Sequence, residues 1–154
     1  MSNTKKMMSP QNGRVTTVLE IPDEVFSEKI LGDGVAIIPT SDEIVSPVDG
    51  EIIQIAETGH AFCIRSDDGV EILIHVGVDT VSLKGRGFVS LVSVGQKVEA
   101  GEPIGTADIE MIKENGYPTH TAMLITNMGV IEDMEVHSGY AEAGKTVALS
   151  YSLK

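Results

Sequence analysis

The sequence predicts an all-β fold, an antiparallel sandwich or flattened barrel with one or two short helical turns. Its 154 residues include 16 glycines and 6 prolines, which divide the chain into many short segments. Most of these segments contain short runs of Val and Ile, as is typical of strands separated by turns. Hydrophobic residues make up 42% of the chain, whereas aromatic residues make up only 4%. We therefore expect one domain with an aliphatic core.

The sequence shows neither a membrane-spanning run nor a secretory signal at its start. No apolar run approaches the roughly 18 residues of a membrane-spanning helix. The start, MSNTKKMMSPQNG, lacks the apolar stretch of a secretory signal. We expect residues 1–7 to form a disordered lead-in, residues 8–154 to form the single domain, and the protein to be cytoplasmic without stable membrane insertion.

The charge balance favours protein partners over nucleic acid. The formal net charge is −12 at pH 7. Such a field repels nucleic acid and anionic membrane surfaces. It speeds encounter with a protein that presents a basic patch.

Local patterns predict several elements along the chain. Two similar segments, SPQNGRVTTV (9–18) and SPVDGEIIQI (46–55), predict the same turn followed by a strand. A short turn or helical piece is expected at 21–26, and a strand at 35–38. Residues 108–114 predict a short helix with Asp108 as its N-cap, because an acceptor side chain precedes the segment and Asn-Gly follows it.

A predicted hairpin brings two histidines together. In HAFCIRSDDGVEILIH (60–75), two alternating runs are separated by Ser66-Asp67-Asp68-Gly69. A turn centred between the two aspartates pairs residues whose numbers add up to 135, so that His60 lies opposite His75. In this register Phe62 and Leu73 share the histidine face, and Cys63 points into the core.

The residues around His75 are suited to phosphoryl transfer. Gly77, Asp79 and Thr80 follow it, and a basic glycine-containing loop comes next. A neutral imidazole is a nucleophile when one ring nitrogen is free and the other is fixed by a hydrogen bond. From the residues alone, a metal site and a pair of ordinary strand histidines remain alternatives.

These motifs resemble those of the glucose-type enzyme IIA proteins and domains of the bacterial sugar phosphotransferase system. The resemblance runs from Ser9 to Lys154, and its most specific string is ILIHVGVDTVSLKG. It is carried by IPDEVFSEKILGDGVAIIP (21–39), SPVDGEI (46–52), TGHAF (58–62), GVEILIHVGVDTVSLKGRGF (69–88) and VGQKVEAGEPI (94–104). The resemblance implies the same all-β architecture and a phosphocarrier domain over residues 8–154.

The resemblance also implies a role for each site residue. His75 matches the histidine that accepts a phosphoryl group from the phosphocarrier protein HPr and passes it to a cysteine of the IIB domain of a sugar permease. His60 matches the histidine that assists transfer, Thr58 the threonine that orients it, and Asp79 an acidic neighbour. No cofactor is required, although His60 and His75 would bind a regulatory zinc ion weakly. We expect a monomer.

One position departs from the family pattern. Enteric relatives carry a phenylalanine where this chain has Ala56, in the apolar collar around the histidines. The collar would then consist of Phe26, Phe62 and Leu73, and the partner specificity of the enteric relatives is not carried over to this chain.

Other functions are weighed against this one. A zinc hydrolase of the lysostaphin type would use His60, His75 and Asp79, but it lacks the expected H-x-H element. A purely regulatory binding protein would use the same face without onward transfer. Lys113 superficially matches the lysine of biotinyl and lipoyl domains, although it falls in a predicted helix and not at a hairpin tip. His120 and His137 are expected at the surface.

Overall fold

The computed structural model describes residues 4–154 and confirms the all-β prediction. Every strand pair in this part of the chain is antiparallel. The strands are β1 (Lys5–Met8), β2 (Gly13–Thr17), β3 (Asp33–Pro39), β4 (Glu43–Val45), β5 (Gly50–Ile55), β6 (Ala61–Ser66), β7 (Glu71–Val76), β8 (Phe88–Ser90), β9 (Lys97–Val98), β10 (Pro103–Ala107), β11 (Thr121–Ile125), β12 (Ile131–Val136), β13 (Gly139–Ala141) and β14 (Val147–Leu153).

These strands form one large sheet and two small ones. The large sheet has the order β13-β2-β3-β11-β7-β6-β5-β9, and the small sheets have the orders β1-β14-β12 and β4-β10-β8. The main core fills the space between them and is aliphatic, with Phe62 as its largest fully buried side chain. A Cβ added at Gly105 of β10 would lie 2.8 Å from the Phe62 ring, which shows how closely the two layers approach each other.

Helical structure is limited to short pieces. The helices are α1 (Glu24–Ser27) and α2 (Ile109–Glu114), and 3-10 turns cover Val18–Glu20, Thr80–Leu83 and Met128–Val130. Asp108 caps α2 by accepting a hydrogen bond from the Met111 amide at 3.0 Å, as predicted. Lys113 therefore lies on a helix and not at a hairpin tip. No helix within residues 4–154 combines the length and the apolar composition needed to cross a membrane.

The predicted repeat of turn and strand is confirmed. Ser9 and Ser46 each donate a side-chain hydrogen bond of 2.7 Å to the carbonyl two residues later, at Gln11 and Val48. Both serines are fully buried. Because a buried hydroxyl needs a hydrogen-bond partner, each serine fixes the same type of turn, Ser9 before β2 and Ser46 before β5.

The predicted disordered lead-in is wrong for residues 5–7. Lys5 to Met8 pair with β14, Lys5 opposite Tyr151 and Met7 opposite Leu149. Met7 is fully buried in the main core. The segment is polar and short, so only its long-range pairing with β14 makes it a strand. Residues 1–3 of the predicted lead-in lie outside the described residues.

The hairpin of β6 and β7 differs from its predicted register by one residue. Ala61, not His60, lies opposite His75, and Phe62 pairs with Ile74. The reason is the loop: Ser66 and Val70 close a three-residue connection with Gly69 at φ +89° instead of a two-residue turn. One residue of slip exchanges the two faces of β6.

Two predictions fail because of this slip. Phe62 points into the main core and is 1% exposed, so it is not on the histidine face. Cys63 lies opposite Leu73 on the outer face and is only partly buried, so it does not point into the core.

Candidate functional site

His75 lies near the end of β7, on the outer face of the large sheet. Its neighbours in the adjacent strands are Ala61 and Ala122, whose small side chains leave the half-buried ring accessible. The Nδ1 atom of His75 is 2.9 Å from the carbonyl oxygen of Gly77. Because a carbonyl only accepts hydrogen bonds, Nδ1 carries the proton. The lone pair of Nε2 is therefore free to act as a nucleophile.

Gly77 is required at this position by its geometry. Its φ is +77°, and an added Cβ would collide with the methyl group of Thr80. The Thr80 hydroxyl donates to the Val76 carbonyl at 2.5 Å, and the Gly77 amide donates to the backbone carbonyl of His120 at 2.9 Å. These bonds fix the carbonyl that orients His75.

His60 lies just before β6, immediately after Gly59, whose φ is +74°. The alternation of the strand therefore does not govern its side-chain direction. Its ring meets that of His75 edge to face, with centroids 4.8 Å apart and planes at 83°. Thr58 Oγ1 is 2.5 Å from Nδ1 of His60, and Phe88 flanks the ring at 6.2 Å. His60 is only 8% exposed.

Phe26 covers His75 from the other side. Its ring centroid is 5.0 Å from that of His75. It belongs to a second apolar cluster on the outer face of the sheet, which includes Ala122 and against which Leu73 packs. Phe26 is 5% exposed, so most of its surface already contacts the protein. Its role in binding a partner stays a prediction.

The electrostatics of the site favour neutral imidazoles. Burial lowers the pKa of His75 below 6.5, and the charge of His60 adds to this effect. The Gly77 carbonyl and the charges of Asp23 and Asp79 act in the opposite direction on the pKa of His75. Burial also lowers the pKa of His60. Near neutral pH both rings are thus uncharged.

The structure places the remaining sequence candidates as follows. Asp79 is exposed in a left-handed conformation, close enough for its charge to act on His75. His137 is exposed, as expected, and donates to or accepts from Ser150 at 2.9 Å. His120 is only partly exposed, and its Nδ1 atom is buried without a hydrogen-bond partner. The expectation of a surface residue is therefore only half right for His120.

Three further residues of this region are not predicted from the sequence. Asp23 caps α1 by accepting from the Val25 amide at 2.8 Å, and its charge also acts on His75. Val25 lies on α1, next to Phe26, and is 40% exposed. Val81 lies on the 3-10 turn that follows Asp79 and is 55% exposed. An aspartate before a helical piece is a recognisable cap signal, but its distance from His75 depends on the tertiary fold.

The described part of the chain contains no preformed metal centre. Within residues 4–154, no three or more His, Cys, Asp or Glu side chains are grouped in a way that would hold a metal ion. The pair of His60 and His75 could offer at most two nitrogen ligands.

Comparison with known proteins identifies the family. Residues 5–131 match the family model described as phosphoenolpyruvate-dependent sugar phosphotransferase system, EIIA 1. The chain belongs to this enzyme IIA family. It is 42% identical over 154 residues to a protein of Bacillus cereus named PTS system glucose-specific EIIA component, covering 99% of this chain and 93% of that protein.

Further enzyme IIA relatives agree in sequence and in structure. A protein of the same name from Haemophilus influenzae is 42% identical over 139 residues, which cover 90% of this chain and 84% of that protein. The solved structure of glucose permease IIA from Mycoplasma capricolum superposes with a TM-score of 0.89 at 38% identity and covers 96% of both chains. The protein is therefore a component of the sugar phosphotransferase system with a role in phosphotransfer.

Proposed function

We propose that the protein carries a phosphoryl group from HPr to the cysteine of the IIB domain of a sugar permease, with His75 as the carrier. The observation that supports this most directly is the hydrogen bond from Nδ1 of His75 to the Gly77 carbonyl. It leaves Nε2 as the free nitrogen beside a second imidazole. Membership of the enzyme IIA family supports the same assignment.

The chemistry consists of two exchanges at phosphorus. Nε2 of His75 attacks the phosphorus of phosphorylated HPr, and the new N–P bond forms as the bond between phosphorus and the donor breaks. In the second exchange a cysteine thiolate of IIB attacks, and the electrons of the N–P bond return to Nε2. Phosphoryl transfer depends mainly on positioning and charge stabilisation, so no nucleotide or cofactor is needed.

His60 assists the second exchange. If the Thr58 hydroxyl donates to Nδ1 of His60, the proton of His60 lies on Nε2, where it faces the phosphoryl group. A hydrogen bond from Nε2 then stabilises the charge that develops on the phosphoryl oxygens. The charges of Asp23 and Asp79 repel the bound phosphoryl group and favour its release.

The docking surface in this proposal surrounds the histidines. Val25, Leu73 and Val81 are apolar, at least partly exposed, and lie on the elements that carry or flank His75. Exposed apolar clusters beside a reactive group are typical of partner surfaces. A cytoplasmic location, a monomeric state and the absence of nucleic-acid partners remain predictions of the sequence.

The test is incubation with phosphoenolpyruvate, enzyme I and HPr, followed by mass mapping of the phosphoryl group. We expect label on the wild-type protein and none on His75→Ala. His137→Ala is the control, since His137 is exposed in the connection between β12 and β13, and should label like the wild type. Stable label on His75→Ala would contradict the assignment.

We propose further that zinc binds weakly to the unphosphorylated site. Two imidazoles 4.8 Å apart between ring centroids fall short of a closed structural site, so water or a partner carboxylate would complete the coordination. Phosphorylation of His75 would remove one ligand. Calorimetric titration of wild type, His60→Ala and His75→Ala should show binding to the wild type only; equal binding by all three would mean that the histidines are not the ligands.

A further inference from the structure

A shallow pocket adjoins the two histidines on the outer face of the large sheet. Its volume is about 260 Å³, and it is lined by Gln54, Ala56, Ala61, Cys63 and Leu73. An engineered apolar cavity of about 150 Å³ in another protein holds benzene. The pocket is therefore large enough for one aliphatic or aromatic side chain.

The register of the sheet places this pocket directly beside His75. Ala61 lies opposite His75, and Cys63 lies opposite Leu73. An irregularity in β5 puts Gln54 across from Cys63. Because alanine and cysteine are small, this part of the outer face is recessed next to the reactive ring.

The pocket carries no formal charge near neutral pH. None of its lining residues is acidic or basic, apart from the thiol. Burial raises the pKa of the Cys63 thiol, and the charge of Glu71 raises it further. The thiol therefore stays protonated, and the pocket favours an uncharged apolar group.

One wall of the pocket is the turn that carries His60. The Ala56 amide donates to the Ala61 carbonyl at 3.0 Å, and the Gly59 amide donates to the Ala56 carbonyl at 2.8 Å. Thr58 and His60 lie within this turn and contact each other. A group seated on Ala56 and Ala61 thus contacts the segment that positions His60.

We propose that this pocket receives one uncharged apolar side chain of the protein that accepts the phosphoryl group from His75. The proposal rests on the proposed function. Direct transfer requires the acceptor atom to come within about 3 to 3.5 Å of its reaction partner, so the acceptor surface must cover the residues flanking His75. The acceptor is favoured over the donor because the pocket shares a turn with His60, which assists onward transfer. The pocket then contributes to the choice of permease.

The test fills the pocket without changing the histidines. Ala56→Phe places a ring in the recess, and Ala100→Phe adds the same ring to an exposed position at the opposite end of the β6–β7 hairpin, near Asp67. The wild type and each variant are phosphorylated through HPr and then mixed with the purified IIB domain of a sugar permease. We expect the KM of Ala56→Phe for IIB to rise about tenfold, equivalent to about 1.4 kcal/mol, with little change in kcat. Ala100→Phe should behave like the wild type.

Three outcomes are distinguishable. Failure of the wild type to accept or pass on phosphate would contradict the proposed function itself. Wild-type transfer with an unchanged KM for Ala56→Phe would overturn the pocket proposal alone. A rise in the KM for HPr that equals or exceeds the rise for IIB would mean that the donor also covers the pocket, and it would overturn the assignment to the acceptor.

A second measurement does not depend on activity. Cys63 is the single cysteine of this chain, so peptide mass mapping after treatment with excess methyl methanethiosulfonate follows the pocket thiol separately from the cysteine of IIB. Saturating unphosphorylated IIB should slow the modification of Cys63 several-fold. Modification at the same rate with and without IIB would contradict occupation of the pocket.

Discussion

The rings of His60 and His75 meet edge to face with their centroids 4.8 Å apart, although Ala61 and not His60 lies opposite His75 in the sheet. The contact arises because His60 precedes β6 and follows a glycine with positive φ. The two rings also differ in how they are held. His75 is bound to a backbone carbonyl, whereas His60 is bound to a threonine side chain. This difference predicts a division of labour.

Replacing His60 with glutamine should separate acceptance from release. The nucleophilic nitrogen belongs to His75, so His60→Gln should still be labelled by phosphorylated HPr. Transfer to IIB should be slow, because the glutamine amide is still a donor but cannot become protonated as charge develops on the departing phosphoryl group. Rapid-quench assays of the two half-reactions measure this. If His60→Gln accepted no phosphate, the proposed roles would be wrong.

Gly77→Ala should damage the site more than the same change at another glycine with positive φ. At Gly77 the new Cβ collides with Thr80 and displaces the carbonyl that holds His75. At Gly69, with φ +89°, an added Cβ meets nothing within 4 Å, so only backbone strain of about 1 to 2 kcal/mol is expected. Gly77→Ala should have a lower urea midpoint and a lower labelling rate than Gly69→Ala. Labelling of Gly77→Ala at the wild-type rate would count against the role of the carbonyl.

Substitution of Phe62 should mainly lower stability, whereas substitution of Leu73 should mainly weaken partner binding. Phe62 is buried in the main core, so Phe62→Ala should lower the free energy of unfolding by about 3 to 5 kcal/mol. Leu73 is on the outer face, so Leu73→Glu should weaken binding of HPr and IIB by about 1 to 3 kcal/mol with a smaller loss of stability. A thermal scan beside a transfer assay distinguishes the two effects. A larger fall in Tm for Leu73→Glu than for Phe62→Ala would identify Leu73 as a core residue.

Phe62 and Cys63 lie on the opposite faces of the sheet from those predicted, because the sequence does not determine the length of the hairpin loop. The sequence predicts the alternation of side chains along β6. Which of the two sets of side chains faces the core depends on whether the loop after Ser66 has two or three residues. Polar residues with a glycine are compatible with both. The α2 helix was predictable because its signals, Asp108 above all, are local. Strand β1 was not, since Lys5 and Met7 become a strand only through pairing with β14.

Within the site, residues close in sequence were easier to find than residues brought together by the fold. His75 and Asp79 stand in one motif, and Thr58 and His60 in another. Asp23 reaches His75 only because α1 packs against the outer face of the sheet. No sequence spacing encodes that proximity.

The lowered pKa values predict a specific dependence on pH. As the pH falls below about 6.5, His60 and His75 take up protons more readily in the unfolded chain than in the folded protein. The free energy of unfolding should therefore decrease as the pH falls below this value. The loss should be smaller for His75→Gln, which removes one of the buried imidazoles. Phosphoryl acceptance should persist somewhat below 6.5 because His75 stays neutral there. Urea midpoints at about pH 7.5 and 5.5 test the first point; greater stability at the lower pH would refute it.

In the proposed mechanism the Gly77 carbonyl holds Nδ1 of His75 and leaves Nε2 as the nucleophile. It is tested most directly by phosphorus and nitrogen NMR of the protein labelled on its histidines and phosphorylated through HPr. We expect one phosphohistidine, at His75, with phosphorus coupled to Nε2 and the proton retained on Nδ1. Phosphorus on Nδ1 of His75, or on any other histidine, would contradict the account.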